Sequence, residues 1–361
     1  MGESLFLDYV KRFFRPIVVR FVEELNGSKN PLPYLHTSLT QREFSVTGQW
    51  DSVTEHNQLV SADYVAMDSG LPLKARGSMS KVSGEIPKLG IEKQLNEKQL
   101  TDLQTLIKIG GTDAQIVSKL FADTRAVIGA QYERNEATFL EGLSTGKATI
   151  TTDNVGIGIE VNYGYYDENK FGASVIWSTS GSADPIGDLK RIKQKAIGDG
   201  NAPQIIYMDQ TALDNLIKAD AFKERYAISI GSMRTSNFPT PGEDEALKLI
   251  ASLTGMQVVL VNRTIQFEKN GKKTAKKPWA DGRVILAPAG TLGSLVYAQL
   301  AEDNAPVAGV EYAKADQYIL VSKFRTNRPS LAEFTQSQSR SLPVISNVDQ
   351  IYMLDTKVAQ A

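Results

Sequence analysis

Asp184 and Asp188 stand four residues apart at the start of a predicted helix, a spacing that places both carboxylates on one face. Such a pair can run general acid–base chemistry when it is buried. Asp184, however, precedes Pro185, and an Asp before a first-turn proline reads as an N-cap, so one partner already has a structural use. His36 and His56 are the two histidines, and neither sits in metal-ligand or triad spacing. The chain contains no cysteine, which excludes disulfides, thiolate nucleophiles and thiolate-bound metals. Gly156-Ile157-Gly158 lacks the third glycine and the following helix of a dinucleotide loop. No GxxxxGK[ST] loop occurs. Catalysis is not expected, and neither is a cofactor or a metal.

A second group could bind charge. Arg263, Lys269, Lys272, Lys273, Lys276 and Lys277 surround Asn270-Gly271, a strong signal for a tight hairpin turn. Such a tip can meet an anionic partner or stay solvated. Lys and Arg total 40 against 41 Asp and Glu, a net charge of -1. That balance argues against a dedicated nucleic-acid binder and lets like subunits approach without strong repulsion. At 42% hydrophobic and 22% charged residues, the composition is that of a globular protein.

Periodicity predicts the elements that would position these groups. Phe6, Tyr9, Val10, Phe13, Phe14, Ile17, Val18, Phe21, Val22 and Leu25 recur at helical spacing over 4–25. Pro16 interrupts that run, and Asn26-Gly27 ends it. The helix either enters its own domain core or docks as an arm on another subunit. Pro31 and Pro33 favour an extended arm over 28–58. Residues 97–142 read as helical, broken at Gly110-Gly111 and restarted by a Thr112/Gln115 capping box. The second part, about 30 residues at ~1.5 Å each, predicts a helix of roughly 45 Å.

Strands are predicted at 148–151, 155–163 and 173–177. From 184 to 310 helix and strand alternate. A helix runs from Asp184-Pro185 to about Ala196, strands fall at 204–208, 257–261 and 284–287, Asp209 caps a helix, and Thr240 and Glu243 form a capping box. This is an α/β layered domain. Two more strands are predicted at 316–325 and 348–354. No apolar run is long enough for a membrane span. Lys11, Arg12, Arg15 and Arg20 break up what a signal peptide would need as its core.

Residues 59–93 fit none of this. They form a polar stretch of about 35 residues, punctuated by glycine and proline, longer than ordinary loops. Strand pieces at 59–65 and 77–82 flank turn signals at Asp68-Ser69-Gly70 and Pro72, which predicts a protruding hairpin. An isolated hairpin is marginally stable in water, so a long one needs a surface to pack on. An arm, a hairpin and a long helix describe a subunit that reaches onto its neighbours.

In this order of elements the chain resembles a tailed-phage major capsid protein of the Hong Kong 97 fold, most closely the lambda-type major capsid protein E family. Residues 59–93 look like that family's extended loop. Ile176-Trp177 followed by Asp184-Pro185-Ile186-Gly187-Asp188-Leu189 looks like its entry into the apical domain. Residues 283–293, with Gly290 and Gly293, resemble a late apical strand and turn. The resemblance implies an α+β capsid fold with an N-terminal helix and arm at 1–58 and an extended β-hairpin loop at 59–95. A peripheral domain with a long spine helix would take 96–180 and 315–361, and an α/β apical domain 181–314.

The resemblance also implies hexamers and pentamers tiling an icosahedral head shell, assembled in the host bacterial cytoplasm and found in the virion. Double-stranded DNA would be enclosed without sequence-specific binding, with no membrane involved. Because the chain starts close to the arm, a separate scaffold protein is expected, together with portal and decoration proteins. Inter-subunit contacts would fall on Phe13, Phe14 and Phe21 of the helix and on Asp68, Leu71, Lys74, Arg76, Lys81 and Lys88 of the loop. The basic hairpin of Lys269, Lys272, Lys273, Lys276 and Lys277 would face a capsomer centre. Some relatives crosslink a loop lysine to an asparagine. Lys74, Lys81, Lys88 and Asn347 are present, yet no residue pattern supports the reaction and no crosslink is expected. Two further readings stay open: an encapsulin-like shell around protein cargo, and an α/β enzyme built on 184–310.

Overall fold

The computed structural model describes residues 2–27, 33–55, 79–150, 159–232, 236–269 and 271–360. In chain order the elements are α1 (Leu7–Asn26), α2 (Leu35–Leu39), β1 (Thr40–Ser45), β2 (Gln49–Glu55), β3 (Met79–Glu85), β4 (Lys88–Leu95), α3 (Glu97–Lys108), α4 (Asp113–Leu120), α5 (Thr124–Thr145), β5 (Lys147–Ile150), β6 (Ile159–Asn162) and β7 (Lys170–Ala173). There follow α6 (Pro185–Gly198), β8 (Ile205–Met208), α7 (Gln210–Lys218), α8 (Asp220–Ser229), α9 (Glu243–Thr254), β9 (Gln257–Leu260), β10 (Ile265–Lys269), β11 (Lys272–Lys276), β12 (Arg283–Ala287), β13 (Gly293–Ala298), α10 (Ala301–Asn304), β14 (Glu311–Ala315), β15 (Ile319–Thr326), β16 (Ala332–Ile345) and β17 (Tyr352–Ala359). The chain forms two compact units.

The first unit comprises residues 1–50, 83–138 and 294–344. Its sheet runs β1-β13-β16-β15-β14, and β4 pairs antiparallel with β16 from Glu333 to Arg340. α1 lies against β14. Val10, Phe14 and Val18 form its buried stripe, joined in one core by Leu103, Ile116, Leu120, Tyr132 and Val321. Each such side chain contributes roughly 1.5–3 kcal/mol by leaving water. Pro16 lies on the exposed side of α1, and the helix continues through it. A buried polar ladder joins α5 to β16: Gln131 Nε2 donates to Ser337 Oγ at 3.1 Å, Ser339 Oγ donates to Gln131 Oε1 at 2.8 Å, and Asn135 Nδ2 donates to Ser341 Oγ at 3.3 Å. Buried polar groups must be satisfied, so this ladder also sets the register of helix on strand.

The second unit comprises 51–82, 139–293 and 345–361. Its five-stranded sheet has the order β7-β17-β12-β8-β9. β17 and β8 pair antiparallel with β12, whereas β7 pairs parallel with β17 and β9 parallel with β8. Helices α6 to α9 cover it, and Trp177, Ile186, Leu189, Leu213, Phe222, Ile250 and Tyr352 lie in the core between them. Two small sheets, β5–β6 and β10–β11, also lie in this unit.

Several elements depart from the sequence expectations. The long helix of 112–142 is two helices, α4 and the 22-residue α5, separated at Phe121–Asp123. The buried Lys323 Nζ takes the Leu120 carbonyl at 3.0 Å, and Phe121 stacks on Phe14 at 6.1 Å, so the chain turns before α5 begins. The arm of 28–58 contains α2, because Glu136 accepts the backbone N–H groups of Leu35 at 3.0 Å and His36 at 2.9 Å and so caps a helix start. β3 pairs with β2, while the expected partner at 59–65 lies outside the described residues. The strand expected at 173–177 ends at Ala173, since the Ser174 N–H goes to Asp188 at 2.9 Å instead of to a neighbouring strand. At α9 the N-cap is Gly242, not Thr240, and Glu245 reaches back to the Gly242 N–H at 3.1 Å. Residues 345–361 join the second unit because Tyr352 and Leu354 enter its core and β17 pairs with β12; residues 294–344 lie in the first.

Candidate assembly surfaces

The residue types that could act chemically are mostly turned inward and satisfied. Asp184 caps α6 by accepting the Gly187 N–H at 3.0 Å and holds Arg225 through two bonds, at 2.6 and 2.8 Å. Despite a desolvation penalty, those hydrogen bonds hold its carboxyl below the ordinary carboxylate range. Asp188 is buried and accepts from Ser174 N, Ser174 Oγ, Trp177 Nε1 and Arg191 Nη2. The two carboxylates therefore serve two separate anchors and form no acid–base pair.

His36 is fully buried in the first unit, its Nδ1 2.6 Å from Glu136 Oε2. Lys323 and Glu333 are likewise buried there, 3.8 Å apart. Nearby, Arg42 pairs with Asp316 at a cleft of about 320 Å³ lined also by Thr37, Thr40, Gln41, Leu295, Gln317 and Tyr318. His56 lies outside the described residues. Among the described residues, no group of side chains could hold a metal ion, and no helix is long and apolar enough to cross a membrane. Sequence reasoning missed the His36–Glu136 and Lys323–Glu333 pairs, and nothing local could have signalled them.

The predicted contact residues divide into three groups. On α1, Phe14 is 1% exposed and stacked on Phe121, so its ring is spent within its own unit and offers nothing to a neighbour. Phe13 and Phe21 are half-buried; Phe13 stacks with Tyr9 at 6.3 Å and lies under the Arg12 guanidinium at 4.8 Å. On the loop, Asp68, Leu71, Lys74 and Arg76 lie outside the described residues, and so does the side chain of Lys81, whose backbone is in β3. Lys88 is exposed at the start of β4. Asn347 takes a left-handed conformation, φ 53°, just before a short 3₁₀ turn.

The third group is the basic hairpin. β10 and β11 pair antiparallel, with Lys269 opposite Lys272 in backbone register and Gly271 at φ +74° in the turn. Lys272, Lys273, Lys276 and Lys277 are exposed, and Lys276 reaches Glu141 at 3.7 Å.

A family model for the phage major capsid protein E matches residues 21–355. The chain belongs to that family. As a phage major capsid protein it builds the head shell, and its place is the virion capsid. A crystal structure described as a prophage capsid protein of E. coli CFT073 shares 14% identity at a TM-score of 0.57, covering 94% of this chain and 98% of that one. The crystal structure of a phage-related protein from Bordetella bronchiseptica RB50 shares 13% identity at a TM-score of 0.54, covering 95% and 97%. At such identities the likeness is one of fold, and the capsid protein E family has the Hong Kong 97-type α+β fold that the sequence resembles. A search of curated proteins finds no match.

Proposed function

We propose that this subunit assembles into hexamers and pentamers that close an icosahedral shell around double-stranded phage DNA. The observation that carries the reading is the capsid-family match over 21–355. Support comes from the disposition of the reactive groups: the carboxylate pair, His36 and the buried lysine are all consumed in holding the chain together. No catalytic activity is part of the reading. Scaffold, portal and decoration proteins would act during assembly in the host cytoplasm, and α1, the 59–95 loop and the basic hairpin would meet neighbouring subunits. Many modest interfaces repeated by symmetry add up to a stable shell.

Negative-stain electron microscopy with light scattering on the concentrated protein tests this. Closed shells, or rings of five and six, support the reading, and the nucleic acid or protein recovered from native particles identifies their content. A compact monomer that no scaffold drives to assemble would overturn it. Replacing residues 59–76 by a short Gly/Ser linker leaves β2 and β3 intact and should abolish shells while leaving a folded subunit. Normal shells from that variant would remove the loop from the interface.

A further inference from the structure

We propose that the lysine tip of the β10–β11 hairpin docks on the acidic face of α7 and α9 in a second copy of this chain. The proposal rests on the shell reading and names one of its contacts. At the tip Lys272 and Lys273 are exposed and make no ion pair among the described residues. The acidic face lies in the same unit. Gln210 Nε2 donates to Asp214 Oδ1 at 3.0 Å and to Glu243 Oε2 at 3.1 Å, which holds these two carboxylate oxygens within roughly 6 Å of each other. Asp244 follows in the first turn of α9. Asp214, Glu243 and Asp244 are exposed, and none has a cationic partner among the described residues. Like charges this close repel, and a cation brought between them relieves the repulsion.

The tip lysines cannot supply that cation to their own unit. Its root is tied to the acidic face: Asn262 Nδ2 donates to Gln210 Oε1 at 2.9 Å, and the Gln210 N–H donates to Asn262 Oδ1 at 3.0 Å. Asn262 lies three residues before β10, whereas Lys272 lies just beyond the turn at the other end. Five strand residues at ~3.4 Å each separate root from tip by roughly 17 Å. Lys276 and Lys277 lie at the root, Lys276 paired with Glu141, whereas the tip lysines Lys272 and Lys273 stand away from the acidic face of their own unit. Copies of such a unit attract head to tail, and head-to-tail contacts close into rings when the rotation allows. DNA could cover the lysines but would leave the carboxylates uncompensated.

Because the chain has no cysteine, disulfide trapping in the full-length protein is clean. A Lys272→Cys/Glu243→Cys variant, oxidised after assembly, should give a ladder of covalent oligomers ending at five and six chains. Either single-cysteine variant should stay monomeric on the denaturing gel. In a second arm, Lys272→Glu/Lys273→Glu and Asp214→Lys/Glu243→Lys should each lower the assembled fraction at least tenfold, with melting temperatures showing that the subunits fold. The combined four-fold variant should recover most assembly.

Assembled particles without a ladder, or charge reversals that assemble like the unsubstituted chain, would overturn the contact. Lysine reversals that form normal shells but lose DNA would overturn it in favour of a nucleic-acid contact. If the unsubstituted chain forms neither rings nor shells with its scaffold, the shell reading fails, and the contact proposal with it.

Discussion

His36 Nδ1 lies 2.6 Å from Glu136 Oε2, with both side chains buried and 100 residues of sequence between them. The same carboxylate accepts the backbone N–H groups of Leu35 and His36. One glutamate on α5 therefore caps α2 and pairs with the histidine at its start, fastening the N-terminal segment to the first unit. Tyr34 and Tyr132 close the site from the side, their ring centroids 5.6 and 5.9 Å from that of His36.

Glu136→Ala should accordingly destabilise the first unit strongly. It leaves two backbone donors and His36 without an acceptor in a dry site, each about 1–3 kcal/mol if unsatisfied. A shift of the urea midpoint with an unchanged slope would measure it. A loss below about 1 kcal/mol would show that water replaces the carboxylate.

Asp188 gathers four donors from Ser174, Trp177 and Arg191. Asp188→Ala orphans the Trp177 indole N–H and the Ser174 N–H, each about 1–3 kcal/mol if unsatisfied. Trp177 fluorescence should shift to the red as the ring loses its fixed place. Denaturant unfolding of the variant should start at lower concentration, with the second unit affected first.

Lys323 and Glu333 sit together in the first unit, and Ser4 Oγ donates to Glu333. Burial pushes the Lys323 ammonium pKa down, and the Glu333 charge opposes that shift. Removing either charge alone should cost about 3–5 kcal/mol, because the other is left buried and unpaired. The Lys323→Met/Glu333→Leu double variant should regain most of that loss. A double-mutant cycle on the folded chain reads the coupling directly; additive single effects would show that the two charges are independent.

The turn before β12 carries a pH response. Hydrogen bonds from Lys357 and Thr211 pull the Asp281 carboxyl down to about 2. Burial pushes Asp209 up, against the two backbone N–H groups it accepts, from Gly282 and Ala212. The two act oppositely. A lowered pKa means that stabilisation by Asp281 is complete above the ordinary carboxylate value of about 4 and is lost as pH falls toward about 2. A raised pKa means that stabilisation by Asp209 is present at low pH and lost as pH rises through its folded value. Melting temperature between pH 4 and 2 should therefore fall less steeply in Asp281→Asn than in the unsubstituted chain. Parallel curves would exclude Asp281 as a source of acid sensitivity.

Much of the local structure is legible in the residues themselves. Thr112 and Gln115 do form a reciprocal box, Asp184 does cap α6 with Pro185 in its first turn, Asp209 does cap α7, and Gly271 does take the positive φ that its hairpin needs. These signals work because a side chain bonds to backbone within about four residues, so sequence distance and spatial distance coincide. The shell-building role was also legible, since it depends on the order of elements along the chain.

The tertiary structure alone decided where those elements stop and what the polar residues do. Lys323 ends α4 from 203 residues away through its bond to the Leu120 carbonyl. Glu136 caps a five-residue helix within the expected arm, and the Asp184/Asp188 pair becomes two independent anchors once Arg225 and Trp177 arrive. The acidic face of Asp214 and Glu243 exists only because Gln210 and Asn262 bring α7, α9 and the hairpin root together. Local propensity is written in neighbouring residues, but the partner of a buried charge is chosen by packing, which sequence spacing does not record.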